Sequence, residues 1–280
     1  ISEVPTFYQM QLLALNNNVK PTEPIAEPVE IKEYYISHLF FDANVDILTP
    51  QNNKKLDQLA NLLLIYPKIT AELSCFELPT GQKTFNLYFS IKKTEKAAEY
   101  LAGKGIPRSR LLLKGYGSSF PLVAKPVSNN ISPLYQKLNQ RLEIALHDYE
   151  SEPVIIDIEG IKVPENLQDP KGVKFSTLSN QLFYSVQIAS ISQILQSQAI
   201  ESVEELFIEV ENSSGNYLYM AGMIPTFKEA EKLMSSLIDL GFPDARIVPY
   251  INGIRIPQGS VADYAKKYPD LLFFLAGKKK

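Results

Sequence analysis

Phe85 to Ile106 reads FNLYFSIKKTEKAAEYLAGKGI, and the division of the chain follows from its spacing. Asn86, Phe89, Ser90 and Lys93 fall at N-x-x-[LF]-S-x-x-[RK]. Phe85, Phe89, Ala97, Tyr100 and Leu101 recur at helical steps, with Lys92, Lys96 and Glu99 on the other side. That spacing predicts an amphipathic helix. Gly103 and Gly105 end it, because glycine takes the left-handed C′ conformation without a Cβ clash.

Around this helix the chain alternates between the two periodicities. Ile36 to Phe41 reads as a strand ending at Asp42. Thr49-Pro50 is an N-cap followed by proline at the first helical position. Behind it Leu56, Leu59, Ala60, Leu63 and Leu64 mark one face of a helix that Tyr66-Pro67 closes. Ile69, Ala71, Leu73 and Cys75 alternate as one face of a strand. Downstream, the strand within Arg110 to Gly115 and the strand from Leu142 to Leu146 flank a segment rich in Ser, Asn and Pro. The order β-α-β-α-β-β, with a short helix before the last strand, predicts a two-layer α/β sandwich over residues 34–149.

The remainder falls into four pieces. Residues 1–33 hold a strand-like run, Phe7 to Leu15, and a linker that Pro21, Pro24 and Pro28 keep extended. Residues 150–180, with Pro153, Pro164 and Pro170, read as a second linker. Residues 181–258 predict a small α+β domain on an antiparallel sheet. Its strands are FYSVQIAS (Phe183 to Ser190), NYLYMAGM, ARIVPYI and IRIP, its helix PTFKEAEKLMSSLIDLG, and its hairpin turn Asn252-Gly253. FYSVQIAS also echoes the opening FYQMQLLA, which reads as a repeat of one strand type. Residues 259–280 read as a C-terminal tail, with 260–276 either an added helix or a docked segment.

Composition sets the class. The 280 residues are 45% hydrophobic and 21% charged, ordinary globular material for one to three domains. A net charge of -3 argues against nucleic acid as the main partner. Lys278-Lys279-Lys280 reads as a solvated tail. No run of ~18 apolar residues is present, so no membrane span is expected. Ile1 is not a start methionine and no leader precedes it, which suits a mature product or a piece of a longer chain. Cys75 stands alone, which rules out an internal disulfide.

Catalytic and metal readings find little support. Ser90 and Lys93 make S-x-x-K, a nucleophile and base spacing, but no K-T-G or S-x-N element accompanies it. His38 and His147 read as a packed core residue and a strand-end residue, with only Asp42 and Asp148 close in sequence, so no metal site is expected. Gly115-Tyr116-Gly117 precedes no helix start and is no phosphate loop. No catalytic residue and no cofactor is assigned.

Residues 34–148 resemble an OmpA-like domain, the periplasmic module with which many Gram-negative envelope proteins hold peptidoglycan. FNLYFSIKKTEKAAEYLAGKGIPRSRLLLKGYG is similar to the family's YNxxLSxxRAxxVxxYLxxxGIxxxRxxxxGYG. HLFFDANVDILTPQNNKKLDQLANLLLIYP fits its opening strand and helix, and NQRLEI its NRRVEI. Residues 181–257 resemble a divergent SPOR domain, another peptidoglycan-binding envelope module, in a version close to those fused to OmpA-like domains in Bacteroidota.

The resemblance implies a grip on diaminopimelate by an aspartate for its ammonium and an arginine for its carboxylate. The aspartate of the family's G-H-T-D lies eight residues before the asparagine, which here is Leu78, with Glu77 one residue early. The arginine position holds Lys93. A shifted peptidoglycan site would use Glu77, Asn86, Lys93 and Arg141. The alternative is that Cys75, Phe76 and Leu78 simply pack. The altered pair favours a non-catalytic scaffold, periplasmic and associated with the outer membrane. Its partners would be other envelope proteins of a larger complex, of the gliding or type IX secretion kind. The other reading is a peptidoglycan anchor.

Overall fold

Thr49 caps the first helix of the computed structural model: its hydroxyl accepts from Asn52 N at 3.2 Å, and Pro50 follows. The structure describes residues 31–41, 47–126, 132–194 and 198–277. The strand read at Phe7 to Leu15, the proline-rich segment to residue 30, Asp42 and Lys278 to Lys280 lie outside the described residues.

The first half runs β1 (Lys32–Ile36), β2 (Leu39–Phe40), α1 (Pro50–Ile65), β3 (Thr70–Phe76), α2 (Lys83–Gly103), β4 (Leu111–Gly117), α3 (Pro133–Asn139) and β5 (Arg141–His147). Then come β6 (Val154–Ile158), α4 (Pro170–Leu178), β7 (Leu182–Ile191), α5 (Gln198–Glu201), β8 (Leu206–Val210) and β9 (Tyr217–Ile224). The chain closes with α6 (Phe227–Asp239), β10 (Arg246–Ile251), β11 (Ile254–Arg255), α7 (Val261–Tyr264) and α8 (Leu271–Gly277). The fold is mixed α+β. From β2 to β5 the order is the one the periodicities predict, and β1 precedes it as a separate strand where one run from Ile36 to Phe41 was expected.

The connection between halves differs from the expectation. The stretch read as a linker supplies β6, which pairs in parallel with β1, and α4. Leu206 to Val210, where no strand was expected, forms β8. It joins β4 through Lys114↔Glu209 and Gly115↔Ile208, so one sheet runs β11-β10-β7-β9-β8-β4-β3-β5-β2.

Two cores follow from strand alternation. Ala71, Leu73 and Cys75 of β3 point at α1 and α2 and share a cluster with Leu59, Leu63, Leu87 and Ile91. Phe76 points the other way, into an aromatic cluster with Tyr116, Phe175, Phe183, Phe207 and Tyr250. Phe175 of α4 stands edge-on to Phe76 at 5.1 Å and to Tyr116 at 4.9 Å. The face of the first half that no β-α-β helix covers is thus closed by the second half.

The organising helix is turned from its expected face. Leu87, Ser90, Ile91, Thr94, Ala97, Ala98 and Leu101 are buried, whereas Phe85 is exposed and Phe89 and Tyr100 are half-buried. The cause is Gly115: a Cβ there would lie 2.7 Å from both Ile91 N and Ser90 Oγ, so α2 presses its backbone on the sheet. Close approach selects small residues for the contact and turns the rings outward. Its first turn is capped from afar. Gln82 makes no side-chain cap, and Glu201 of α5 accepts from Lys83 N at 2.8 Å and Thr84 N at 2.9 Å.

Phe175→Ala should cost about 3–5 kcal/mol, read as a lower urea midpoint by circular dichroism. The transition should stay single, because the aromatic cluster belongs to both halves.

Candidate functional site

β3 ends at Phe76, and Glu77 N still bonds Gly117 O at 2.7 Å, which holds the next residue in strand-like register. Alternation therefore aims Glu77 at α2, on the side of Cys75. There its Oε1 lies 2.6 Å from Lys93 Nζ, with the two side chains 7% and 3% exposed. Gln140 Nε2 donates to the other carboxylate oxygen at 3.3 Å, and the Lys93 ammonium lies 4.7 Å from the centre of the Phe41 ring. Leu78 packs with Val123, Tyr135 and Leu138. The position that counting assigns to the family carboxylate is thus apolar, and its neighbour turns inward to neutralise the lysine.

The other two predicted site residues, Asn86 and Arg141, hold internal hydrogen bonds. Asn86 sits two turns before Lys93. With its amide oriented by the surrounding network, it donates to Thr80 O at 2.8 Å and Leu78 O at 3.2 Å and accepts from Ser118 Oγ at 3.1 Å. Arg141 pairs with Phe76 across β5 and β3, and its guanidinium centre stacks 3.7 Å from the Phe76 ring. Its Nε donates to Glu143 Oε1 at 2.6 Å. That places Arg141 on the aromatic face of the sheet, away from the Glu77–Lys93 pair. Burial pulls its pKa down, and Glu143 counters this.

Ser90 and Lys93 do not act on each other. Ser90 Oγ donates to Leu87 O at 2.9 Å and accepts from Gly117 N at 3.0 Å, tying α2 to the Gly115–Gly117 stretch. His38 Nδ1 accepts from Ile144 N at 3.0 Å, and burial holds its pKa below 6.5, against the opposing pull of Glu143 and Glu159.

A second charged cluster escaped the sequence reading. Lys114 Nζ lies 3.0 Å from Glu72 Oε2 and 3.8 Å from Glu209 Oε1, and donates to Gly253 O at 2.5 Å. His147 Nε2 approaches Glu72 at 3.4 Å, and Tyr250 donates its hydroxyl proton to Glu209 at 2.8 Å. Burial raises the Glu72 pKa, but Lys114 and His147 outweigh it and hold the carboxyl at about 2. One signal was available: Glu72 and Lys114 are the only charged residues of β3 and β4.

No family model matches the chain. It is 31% identical over 140 residues to outer membrane protein A of Yersinia pseudotuberculosis, 47% of this chain and 39% of that protein. It is 23% identical over 123 residues to outer membrane porin F of Pseudomonas fluorescens, 44% and 35% of the two chains. Over those stretches the chain is similar to these outer membrane proteins. It spans well under half the length of these two curated relatives. Among solved structures, the peptidoglycan-associated lipoprotein of Burkholderia pseudomallei is similar at TM-score 0.34 and 19% identity, over 39% of this chain and 89% of that one. The C-terminal domain of Helicobacter pylori MotB gives 0.35 and 17%, over 42% and 88%.

Lys93→Met or Glu77→Leu alone should each destabilise by about 3–5 kcal/mol, since each strands a buried charge. Together they should cost much less than their sum, and a double-mutant cycle in urea measures the coupling.

Acid should weaken the fold in two windows. Unfolded His38 binds more protons than folded His38 just below pH 6.5, so stability falls as pH drops through that value. Glu72 adds a second loss between pH 4.5 and about 2, where the unfolded carboxyl protonates first. His38→Gln should flatten the upper window alone in urea midpoints measured against pH.

Proposed function

We propose that this chain is a non-catalytic envelope scaffold, an OmpA-like domain joined to a SPOR-like one, periplasmic and associated with the outer membrane. The observation that carries the reading is the buried Glu77–Lys93 pair at 2.6 Å. A pocket that takes up a zwitterionic amino acid must offer a free anion and a free cation. Here each is spent on the other, and prising them apart leaves two desolvated charges. Leu78 and Lys93, where the family has aspartate and arginine, support the same conclusion from composition.

The location rests on likeness to outer membrane proteins over the matched residues. Among the described residues no helix is long and apolar enough to cross a membrane. The partners would be other proteins of an envelope complex. The pairing of an OmpA-like with a SPOR-like unit, as in Bacteroidota, directs the search to gliding and type IX secretion machinery.

The second reading, a peptidoglycan anchor, draws on the OmpA-like stretch itself. Co-sedimentation of the full chain with purified sacculi separates the two. The scaffold reading expects no retention above background. Robust retention of the wild type, lost in a folded Glu77→Leu/Lys93→Met double variant, would assign the pocket to the cell wall.

A further inference from the structure

The tight contact of α2 on Gly115 leaves the first two turns of that helix with an aromatic outer side. Phe85 is 55% and Tyr88 41% exposed, one turn apart. Half-buried Phe89 braces both, its ring centre 5.1 Å from that of Phe85 and 5.4 Å from that of Tyr88. The Lys92 ammonium lies 5.9 Å from the Tyr88 ring, and is itself held by Glu95 at 2.7 Å and the Tyr217 hydroxyl at 3.0 Å. Both rings are therefore positioned before any partner arrives. Among the described residues they line a groove of about 820 Å³ together with Gln82, just before α2, and with Ile194 and Gln198 of the second half.

The polar groups of the groove divide into spent and free. Glu201 gives its carboxylate oxygens to Lys83 N, Thr84 N and the Thr84 hydroxyl. The Lys83 ammonium donates to Glu201 O at 2.8 Å and to Val203 O. Neither charge is left to meet a ligand. Gln82 and Gln198 are exposed, and Gln82 makes no side-chain cap on α2. The groove thus offers two rings, two side-chain amides and a phenol, and no free charge.

We propose that this groove takes a proline-rich segment of another protein, bound in the extended polyproline conformation. Such a segment brings compact apolar rings to aromatic faces. Its carbonyls are used by no internal hydrogen bond, and proline adds no N–H that would need an acceptor. Side-chain amides and a phenol are the donors those carbonyls require. Other occupants fit less well. A helical partner has spent its backbone carbonyls internally, and a β-strand needs a free strand edge, whereas a helix forms one wall here. A sugar is rich in hydroxyl donors, and the carboxylate that would accept from them is engaged by α2. The segment is already extended, so little ordering opposes its binding. The inference adds a partner site to the scaffold reading and does not rest on the Glu77–Lys93 pocket.

Fluorescence anisotropy of a labelled proline decamer, titrated with the full chain, tests it. Binding should be saturable and equal at low and high salt, since no free charge takes part. A glycine-serine decamer should not bind. Phe85→Ala and Tyr88→Ala should each weaken binding about tenfold or more. Gln82→Ala/Gln198→Ala should weaken it about threefold to tenfold. All these side chains are exposed, so each variant should keep the wild-type circular dichroism spectrum. No saturable binding, equal binding of the glycine-serine decamer, or affinity unchanged by both ring variants would overturn the proposal. Two other results would overturn it by reassigning the groove. Binding of an N-acetylglucosamine tetramer but not the decamer, lost in Phe85→Ala, would give it to a saccharide. Self-association lost in Phe85→Ala, without decamer binding, would give it to a second copy of the chain.

Discussion

Lys114 is the constraint on which the joined fold depends. It sits in a central strand, buried, on the face of the sheet that α1 and α2 do not cover. A lone ammonium there carries a desolvation cost of several kcal/mol. Glu72 from the adjacent strand answers it, and Glu209 and the Gly253 carbonyl answer it from the second half. Pulling the halves apart would therefore return Lys114 to one partner and leave Glu209 with Tyr250 and Arg255. The aromatic cluster adds attraction without direction, while the ion cluster sets the register in which β8 meets β4.

The same logic extends to the other bonds between the halves. A linker between independent domains needs few contacts across it. Here Glu201 caps the long helix α2, Tyr217 donates to Glu95 at 2.7 Å, and Ser119 donates to Leu206 O at 2.7 Å. Each bond satisfies a group that would otherwise face the seam.

What could be read from the residues was local, and what could not was contact. From β2 to β5, strand and helix order followed from alternation and caps, down to Thr49-Pro50 and the left-handed Gly105, while Gly103 lies inside the helix. The face of α2 did not follow, because aromatic weight points to Phe85 and Phe89 while the bare Cα of Gly115, on the next strand, decides which side approaches the sheet. β8 was hidden because LFIEV is short and carries Glu209, whose charge is meaningful only opposite Lys114. At the site, the residue types were legible in Glu77 and Lys93, but not that they face each other. A single residue of strand alternation beyond Phe76 turns Glu77 inward and leaves Leu78 for the apolar cluster.

Lysine rather than arginine at position 93 fits what surrounds it. Glu77 offers one oxygen to the cation and gives its second to Gln140, and the rest of the neighbourhood includes the Phe41 ring. An ammonium is a compact point charge that one short contact and one ring can hold. A guanidinium brings five donors in a rigid fork, and a pocket with one free carboxylate oxygen would leave several of them buried and unmet. Arg141 has a different setting: its plane lies on Phe76, with Glu143 and Leu138 O as acceptors at its edge. The two cations thus divide by geometry, the point charge closing the helix side of the sheet and the planar one stacking on its aromatic side. That division leaves the Glu77–Lys93 pocket self-contained.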